Sequence, residues 1–328
     1  MQIDPTLRAL ADSTRLRIMR LLAAMELAVG ELAQVLGQSQ PRVSRHVKIL
    51  CDAGLAARRK EGSWVFLRSA ITPETPAPLG AATARLLNVA EDADAAFAAT
   101  CAEDRRHLAA IRAGREEAAA AYFARHAAEW DSIRAFHDAE GAVETALQAA
   151  LGVDLGRLLD IGTGTGRVAE LLAPHATHVT GLDKSPEMLR IARARLQHLP
   201  GGSADLVLGD FAALPAADAA FDTVVFHQVL HFAQAPEIAL AEAARVTRPG
   251  GRIAVVDFAA HDREELRTLH AHARLGFADA QMAALLAGAG FAQESARAIP
   301  GAPHLLNRPH QPLTVKVWTG TRLATPVP

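Results

Sequence analysis

The sequence of 328 residues has few cysteines, few aromatic residues and no long apolar segment. Cys51 and Cys101 are its two cysteines, too few for a disulfide framework or a four-cysteine zinc site. No apolar run approaches the ~18–20 residues that a membrane-spanning helix needs. The first residues contain no basic segment followed by an apolar one. We therefore expect no secretory signal, no membrane partner and a cytoplasmic location.

The chain also lacks a large net charge, which is −2 when histidine is neutral. The charges are nevertheless unevenly distributed: residues 1–70 hold 11 Lys and Arg against 6 Asp and Glu, and the remainder holds 23 against 30. Half of the residues are hydrophobic and 21% are charged, which excludes a disordered chain. The length predicts two domains, and the charge distribution predicts that the first of them binds an anion.

The first 70 residues show the pattern of short helices followed by a basic hairpin. One helix follows the capping residue Asp12, a second ends at Gly37, and a third begins after Ser39. Two strands then flank a turn at Gly62. Apolar residues at helical spacing predict a buried face on the third helix, formed by Val43, Val47 and Leu50.

The opposite face of the third helix and the hairpin carry amides, hydroxyls and cations. Gln and Arg side chains bind base edges in the major groove, and Lys and Arg neutralise phosphates. This order of elements predicts a winged helix-turn-helix that binds double-stranded DNA, with a small helical domain of basic surface as the alternative. The residues expected to contact DNA are Gln40, Arg42, Ser44, Arg45 and Lys48 on the helix and Arg59 and Lys60 on the hairpin.

Two segments, LRALADSTRLRIMRLL and ELAQVLGQSQPRVSRHVKILCDAGLAARRKEGSWVFLR, resemble the ArsR-type winged-helix repressors over about residues 5–70. The resemblance implies a homodimer that binds an operator palindrome and is released by an effector. Metal-sensing members carry Cys-x-Cys where this chain has Ala28-Val29-Gly30. Since thiolates select soft metals, we expect neither a metal site nor arsenite sensing at that position.

A proline-rich break at residues 72–78 precedes a segment rich in Ala, Glu and Arg, which favours long helices. Leu86, Val89 and Phe97 belong to an intermittent apolar stripe on this segment. Such a stripe suits packing against a second copy of the chain, and a solvated spacer is the alternative. We therefore expect a winged-helix domain at 1–71, a helical connector at 72–119 and a third domain at 120–328.

Strands and helices alternate from about residue 120 onward, the pattern of an open α/β sheet. A short apolar strand ends near Asp160 and leads into a Gly-x-Gly-x-Gly loop of Gly162, Gly164 and Gly166. Glycines let a backbone approach a ligand closely. The next predicted strand ends at Asp183, where a carboxylate can accept both hydroxyls of a ribose.

Two further predicted strands end in side chains that suit a nucleoside ligand or its reaction partner. The third strand ends in Asp210-Phe211, where the acid can bind an adenine amino group and the ring can stack on the base. The fourth strand leads into His227, which can remove a proton at the edge where ligands of open α/β sheets bind. Asp160 as a structural cap and Phe211 as plain core are the alternatives.

Five segments resemble, in order, the motifs of class I S-adenosylmethionine (SAM)-dependent methyltransferases over about residues 120–320: LLDIGTGTGRVAELL, VTGLDKSPEML, LVLGDFAALP, FDTVVFHQVLHF and RVTRPGGRIAVVDF. The resemblance implies a Rossmann-like, seven-stranded sheet that binds SAM or its product S-adenosylhomocysteine (SAH). The chain as a whole is then α+β in its winged helix and α/β in its third domain. The resemblance implies that Asp160, Gly162, Gly164 and Gly166 bind the methionine part of the cofactor and that Asp183 binds the ribose. It further implies Met188, Asp210 and Phe211 at the adenine, Tyr122 and Trp130 in a lid, and His227 facing the substrate. Lys184 is a further expected cofactor-binding residue.

Several functions are open at this point. The chain is either a DNA-binding regulator whose third domain senses SAM or SAH, or an active small-molecule methyltransferase that its winged helix regulates or localises. The methyl acceptor is then unknown. A DNA methyltransferase is disfavoured, because Phe226-His227-Gln228 replaces the Pro-Pro motif of that class and because this half is acidic. His270 and His272 stand two residues apart on a predicted helix and so point apart, which argues against a metal site.

Overall fold

The computed structural model describes residues 2–61, 64–73, 75–130, 140–300 and 313–324. The chain divides into two compact units, Met1–Glu117 and Ala118–Pro328. Most of the segment expected to be a connector, residues 72–119, lies in the same compact unit as the winged helix. Among the residues in these ranges, no helix is long and apolar enough to cross a membrane.

The first unit is a winged helix followed by two long helices. Its helices are α1 (Ile3–Leu10), α2 (Ser13–Ala24), α3 (Val29–Leu36), α4 (Gln40–Asp52), α5 (Pro78–Ala93) and α6 (Ala95–His126), whose last residues belong to the second unit. Its strands are β1 (Leu27–Ala28), β2 (Ala56–Glu61) and β3 (Trp64–Ser69). They form an antiparallel sheet in the order β1-β3-β2, as a winged helix requires.

Local chemistry sets the ends of the helices in the winged helix. The Asp12 carboxylate accepts a hydrogen bond of 3.0 Å from the Arg15 backbone N–H, which caps α2. Gly37 follows α3 with a φ of 62°, a left-handed conformation that glycine adopts without strain. Because the apolar seam of α4 is buried, the opposite face of this helix points to solvent. The seam consists of Val43, Val47 and Leu50.

Ion pairs fasten α5 and α6 to α2. Arg17 of α2 donates two hydrogen bonds, of 2.7 and 2.5 Å, to the buried carboxylate of Asp104 on α6. Arg20 of α2 pairs with Glu91 of α5, which also accepts a hydrogen bond from Arg105 of α6. A bidentate pair fixes the relative position of its partners, and its loss leaves a buried charge without a counter-ion.

A seven-stranded sheet forms the centre of the second unit, as predicted. Its strands are β4 (Gly156–Ile161), β5 (Ala176–Asp183), β6 (Ala204–Leu208), β7 (Phe221–His227), β8 (Thr247–Phe258), β9 (Phe291–Ile299) and β10 (Val315–Arg322). The strand order is β6-β5-β4-β7-β8-β10-β9. Strands β4 to β8 are parallel, and β10 runs antiparallel to both of its neighbours.

Apolar cores cover both faces of this sheet. Leu158 and Val225 belong to one core, and Leu159 and Val224 belong to the other, as the alternation of side chains along a strand requires. The helices that complete the unit are α7 (Glu140–Leu151), α8 (Arg167–Leu172), α9 (Pro186–Leu196), α10 (Pro236–Val246), α11 (Glu265–Leu269) and α12 (Asp279–Gly288).

Strand β4 is the switch point of the sheet, with β5 and β6 on one side and β7 and β8 on the other. Ligands of open α/β sheets bind outside the carboxyl ends of the strands at such a point. One predicted boundary is wrong, because β6 ends at Leu208 and not at Asp210-Phe211. The Asp210 carboxylate instead accepts a hydrogen bond of 2.8 Å from the Ala212 N–H, which turns the chain out of the strand.

Candidate functional site

The loop after β4 has a backbone that glycine alone adopts easily. Gly162, Gly164 and Gly166 have φ values of 73°, 55° and 81°. A Cβ on Gly162 would lie 2.4 Å from the Val229 side chain, whereas the atom nearest to a Cβ on Gly164 is Nε1 of Trp130, at 3.8 Å. A Cβ on Gly162 would therefore clash with Val229, whereas a Cβ on Gly164 would lie at ordinary van der Waals distance from the indole of Trp130.

Two carboxylates hold this loop in place. The Thr163 hydroxyl donates a hydrogen bond of 2.7 Å to the buried Asp160. Asp183, at the end of β5, accepts hydrogen bonds of 2.8 Å from the backbone N–H groups of Gly164 and Ser185, one on each oxygen. Burial raises the pKa of Asp183, and these N–H donors oppose that rise. Because a carboxylate has about four acceptor positions, Asp183 keeps capacity for ligand hydroxyls.

The loops after β5 and β6 are joined by an ion pair. Lys184 donates a hydrogen bond of 2.8 Å to Asp210. Burial alone would raise the pKa of Asp210, but the bond and charge of Lys184 hold it below its ordinary value. Phe211 is half-buried and packs against the core, and Met188 is buried at the start of α9. The predicted ribose and adenine residues thus line the carboxyl ends of neighbouring strands.

Aromatic side chains from the end of α6 gather near the glycine loop. The Phe123 ring lies 5.2 Å from Trp130 and 4.8 Å from Phe232, both in edge-to-face geometry. Tyr122 lies 6.4 Å from Trp130, and its hydroxyl forms a hydrogen bond of 2.8 Å with Nδ1 of His270. We call Tyr122, Phe123, Trp130 and Phe232 the aromatic cluster. It contains both residues expected in a lid, Tyr122 and Trp130.

A buried histidine–carboxylate pair lies beside this cluster. Nδ1 of His231 is 2.8 Å from Oδ1 of Asp257, and the two side chains are 3% and 0% exposed. The His231 ring centroid lies 4.0 Å from that of Phe232. His227, the expected proton acceptor, ends β7 and is buried.

Two more histidines differ from expectation. Helix α11 ends at Leu269, so the prediction that His270 and His272 share a helix is wrong. The His272 backbone N–H bonds to the Leu266 carbonyl, which curls the chain around the helix end and brings the His272 ring within 4.2 Å of His231. Within the described part of the chain, no group of three or more His, Cys, Asp or Glu side chains could hold a metal ion.

The face of α4 expected to contact DNA is exposed. Its members are Gln40, Arg42, Ser44, Arg45 and Lys48. Lys48 pairs with Asp52 at 2.6 Å but stays exposed, whereas Arg59 is half-buried, pairs with Glu26 at 2.8 Å and lies 4.8 Å from the centre of the Phe66 ring. The Lys60 side chain falls outside the described residues. Arg58 and Arg68, on β2 and β3, are exposed cations of the wing.

Comparison with known protein families matches both units. A family model described as "Bacterial regulatory protein, arsR family" matches residues 12–58, and a model described as "Methyltransferase domain" matches residues 159–255. The chain joins an arsR-family regulatory domain to a methyltransferase domain.

Relatives of each domain are found separately. The arsenical resistance operon repressor of Escherichia coli is 46% identical over 71 residues, which are 21% of this chain and 59% of that protein. The demethylmenaquinone methyltransferase of Renibacterium salmoninarum is 37% identical over 114 residues, 35% of this chain and 46% of that protein. The chain thus spans about half the length of the curated relatives it matches.

A solved structure agrees with the fold of the methyltransferase domain. It is the complex between the Haloferax volcanii Trm112 methyltransferase activator and a methyltransferase, and the match has a TM-score of 0.51 at 22% identity. It covers 61% of this chain and 97% of the matched chain. At this identity the likeness bears on the fold alone.

The residues of the methyltransferase domain fit SAM, the methyl donor that relatives of this fold use. The glycine loop would let the methionine part approach its backbone beside the Trp130 indole, and the remaining acceptor positions of Asp183 suit ribose hydroxyls. When bound, SAM supplies an electrophilic methyl group on a positively charged sulfur. Asp160, Gly162 and Gly166 would act by shaping the loop around it.

The sequence reading missed the pairing of His231 with Asp257. Both residues lie near the carboxyl ends of strands, His231 after β7 and Asp257 in β8, but their contact depends on two further features. Strands β7 and β8 are neighbours in parallel register, and a 3-10 turn at Leu230–Phe232 folds His231 back over β8. The first feature follows from the family resemblance, and the second has no clear sequence signal.

Proposed function

We propose that the protein is an ArsR-type transcriptional regulator whose methyltransferase domain binds SAM or SAH and thereby changes the affinity for operator DNA. The observation that carries the proposal is the course of α6. This one helix bears Asp104, which is ion-paired to Arg17 inside the first unit, and Tyr122, which belongs to the aromatic cluster of the second. Because α6 contributes residues to both units, we expect a change in the cluster to act on the winged helix through this helix.

The DNA-binding part of the proposal is supported by α4 and the wing. Gln40 and Arg45 stand on the exposed face of α4, where they can reach base edges in the major groove. Arg58 and Arg68 can neutralise phosphates beside it. Arg59 contributes less to the proposed surface, since its guanidinium is bound to Glu26.

A homodimer is the assembly that an operator palindrome calls for, because two recognition helices must lie about one DNA turn, ~34 Å, apart. Two exposed apolar pairs in the first unit favour such an assembly. Leu86 and Val89 of α5 are 55% and 60% exposed, and Ile3 and Leu7 of α1 are also exposed. Apolar residues at helical spacing on the surface of two helices suit a second copy of the chain.

The sensing part of the proposal is supported by the position of Trp130. Its indole faces Gly164, where the methionine part of the ligand would lie. SAM carries a sulfonium cation and SAH a neutral thioether, and aromatic rings attract a cation within ~6 Å of the ring centre. The two ligands therefore interact unequally with the aromatic cluster. Each ligand shifts an equilibrium between two conformations by its own differential affinity for them, so we expect SAM and SAH to shift it to different extents.

The test is a titration of operator DNA, selected from random duplexes, with no ligand, with SAM and with SAH. We expect one ligand to change the operator Kd by about 5–150-fold, the range of typical coupling energies of ~1–3 kcal/mol. Asp183→Ala, which lacks the ribose acceptor, is the matched control: it should bind operator like the wild type and respond to either ligand only at about 10–150-fold higher ligand concentration. Identical curves for all three conditions would contradict the sensing role.

Methyl transfer to a small acceptor is a second candidate function, and one specific observation favours it. The buried pair of His231 and Asp257 stands beside the aromatic cluster, where a proton acceptor is useful to a transferase. A pocket that only senses a ligand has no need of such a pair. Incubation with methyl-labelled SAM and a cell extract, followed by a search for labelled product, tests this function.

A further inference from the structure

We infer that the methyltransferase domain methylates an aromatic hydroxyl compound, with His231 as the proton acceptor and Asp257 as the residue that orients it. This inference rests on the second candidate function above, methyl transfer, and adds to it the class of acceptor. It is carried by the geometry of the pair and by the rings around it.

The hydrogen bonds of Asp257 determine which nitrogen of His231 can take a proton. Oδ1 of Asp257 accepts from the Phe258 backbone N–H at 2.7 Å, and Oδ2 accepts from the His231 backbone N–H at 3.1 Å. A carboxylate that accepts from backbone donors on both oxygens is best satisfied in its ionised form. Nδ1 of His231 is then the donor to Asp257, and Nε2 keeps its lone pair. This is the tautomer that a general base needs.

Aromatic rings surround His231. The ring centroids of Phe232, Phe258 and His272 lie 4.0, 5.1 and 4.2 Å from that of His231. Phe123, a further member of the aromatic cluster, packs edge-to-face on Phe232. Rings prefer offset-stacked or edge-to-face partners at such distances. An aromatic acceptor would therefore be held with its plane fixed and a substituent near His231.

A second histidine offers a donor in the same region. Nδ1 of His261 accepts from the Arg263 backbone N–H at 3.1 Å, so its proton lies on Nε2. Among the described residues, this buried Nε2 has no hydrogen-bond partner. Burial lowers the pKa of His261 to about 4, with smaller contributions from the charges of the nearby His231 and Arg263. The ring of His261 is therefore neutral at neutral pH. A neutral N–H donor suits a hydroxyl or phenolate oxygen.

The charges near the pair distinguish a hydroxyl from other acceptors. Asp257, the carboxylate that contacts His231, already accepts from three N–H donors and so is a poor counter-ion for an ammonium group. The cations nearby are already engaged, because the buried Arg274 donates to the carbonyl of Gln234 and Arg263 pairs with Glu265. A neutral hydroxyl on an aromatic ring fits this environment best.

The reaction balances with the residues present and a sulfonium methyl donor. A lone pair of the hydroxyl oxygen attacks the methyl carbon and forms the new O–C bond. The C–S bond breaks, and its electron pair stays on sulfur, which becomes a neutral thioether. The hydroxyl proton passes to Nε2 of His231, and the resulting imidazolium is stabilised by the Asp257 carboxylate. The proton then leaves to solvent.

The experiment uses 4-nitrophenol as the probe, because its absorbance reports ionisation of the hydroxyl. It is titrated into the full-length protein saturated with SAH at pH 6, where the free probe is mostly protonated. We expect saturable binding and a larger ionised fraction for the bound probe than for the free one. His231→Gln keeps a donor toward Asp257 but cannot take a proton, so its bound probe should stay protonated. Asp257→Asn should give an intermediate fraction.

His198→Ala is the matched control, because His198 is an exposed histidine of the same domain beyond the end of α9. It should behave like the wild type. A second readout is methyl transfer from labelled SAM to 4-nitrophenol and to 2-phenylethylamine. We expect transfer to the phenol alone, reduced about 10²–10⁴-fold in His231→Gln, the usual contribution of a general base.

The outcomes separate this inference from the proposed function. A probe that ionises equally in wild type and His231→Gln would overturn the role of His231. Binding of SAH without binding of 4-nitrophenol, or transfer to the amine, would overturn the acceptor class and leave SAH binding intact. If the wild type does not bind SAH at all, the proposed function itself is contradicted. Circular dichroism of each variant shows whether it is folded.

Discussion

Replacement of Asp183 by alanine is the sharpest perturbation of the ligand site. The change removes the acceptor for two ribose hydroxyls and also releases the Gly164 N–H, which Asp183 holds at 2.8 Å. A hydrogen bond to a charged group contributes ~1.5–3 kcal/mol, so the affinity for SAM should fall by about 10–150-fold. The loosened glycine loop can only add to this loss. Asp183→Asn keeps one acceptor oxygen and should lie between wild type and Asp183→Ala.

Isothermal titration calorimetry with SAM and with SAH measures the effect. Both ligands share the ribose, so both should weaken by the same factor. Asp205→Ala is the matched control, because Asp205 is an exposed carboxylate on the neighbouring strand β6. It should leave both affinities unchanged. A dissociation constant for Asp183→Ala within twofold of the wild type would refute the assignment of the ribose site.

Burial of Asp183 also makes the stability of the ligand-free protein depend on pH. The folded-state pKa of Asp183 is raised above the unfolded value, so it favours the folded state below the unfolded pKa. That contribution is lost as the pH rises through the folded-state pKa. The unfolding free energy of Asp183→Ala should therefore fall less than that of the wild type between acidic and neutral pH. Denaturant titrations at several pH values measure this difference.

Three further predictions concern other parts of the molecule. Arg45→Ala should relax sequence preference, because a lost base contact costs ~1–3 kcal/mol. Arg58→Ala should weaken the binding of operator and random duplex alike and make the slope of log affinity against log salt concentration shallower by about one unit. Equal effects of both variants on operator and random duplex would contradict this difference. Asp104→Ala leaves Arg17 without its buried partner and should destabilise the protein by at most about 3–5 kcal/mol in denaturant titrations; an unchanged midpoint would show that the pair is not needed. The lowered pKa of His261, from about 6.5 to about 4, means that the wild type loses stability as the pH falls through that window. His261→Gln should flatten the decline, and an unaltered pH profile of the melting temperature would rule out this cause.

Local patterns in the sequence predicted the parts of the fold that local chemistry controls. The seam of α4, the left-handed Gly37 and the strand before the glycine loop follow from apolar spacing and from glycine positions alone. The sequence also predicted which carboxylate ends β5. These features involve residues within about two helical turns of one another, and a pattern can encode them.

Contacts between distant residues were not predictable in the same way. Arg17 and Asp104 are 87 positions apart, and Arg59 reaches Glu26 across 33 positions. From the sequence alone, a basic residue of the hairpin such as Arg59 is expected to contact DNA. The structure shows that its guanidinium instead binds the carboxylate of Glu26. The strand end at Asp210 was misplaced for a related reason, because the side chain satisfies a backbone N–H that a strand would have used.

The central claim is that the ligand site and the operator site are coupled, and coupling of two binding sites is reciprocal. Calorimetric titration of SAM and of SAH into the protein, first free and then saturated with operator DNA, measures it directly. The account predicts that operator changes the affinity for one of the two ligands by the same factor by which that ligand changes the affinity for operator. Trp130→Ala should reduce that factor without abolishing DNA binding. Equal affinities with and without operator, for both ligands, would contradict the account and leave a methyltransferase domain that acts independently of the DNA-binding domain.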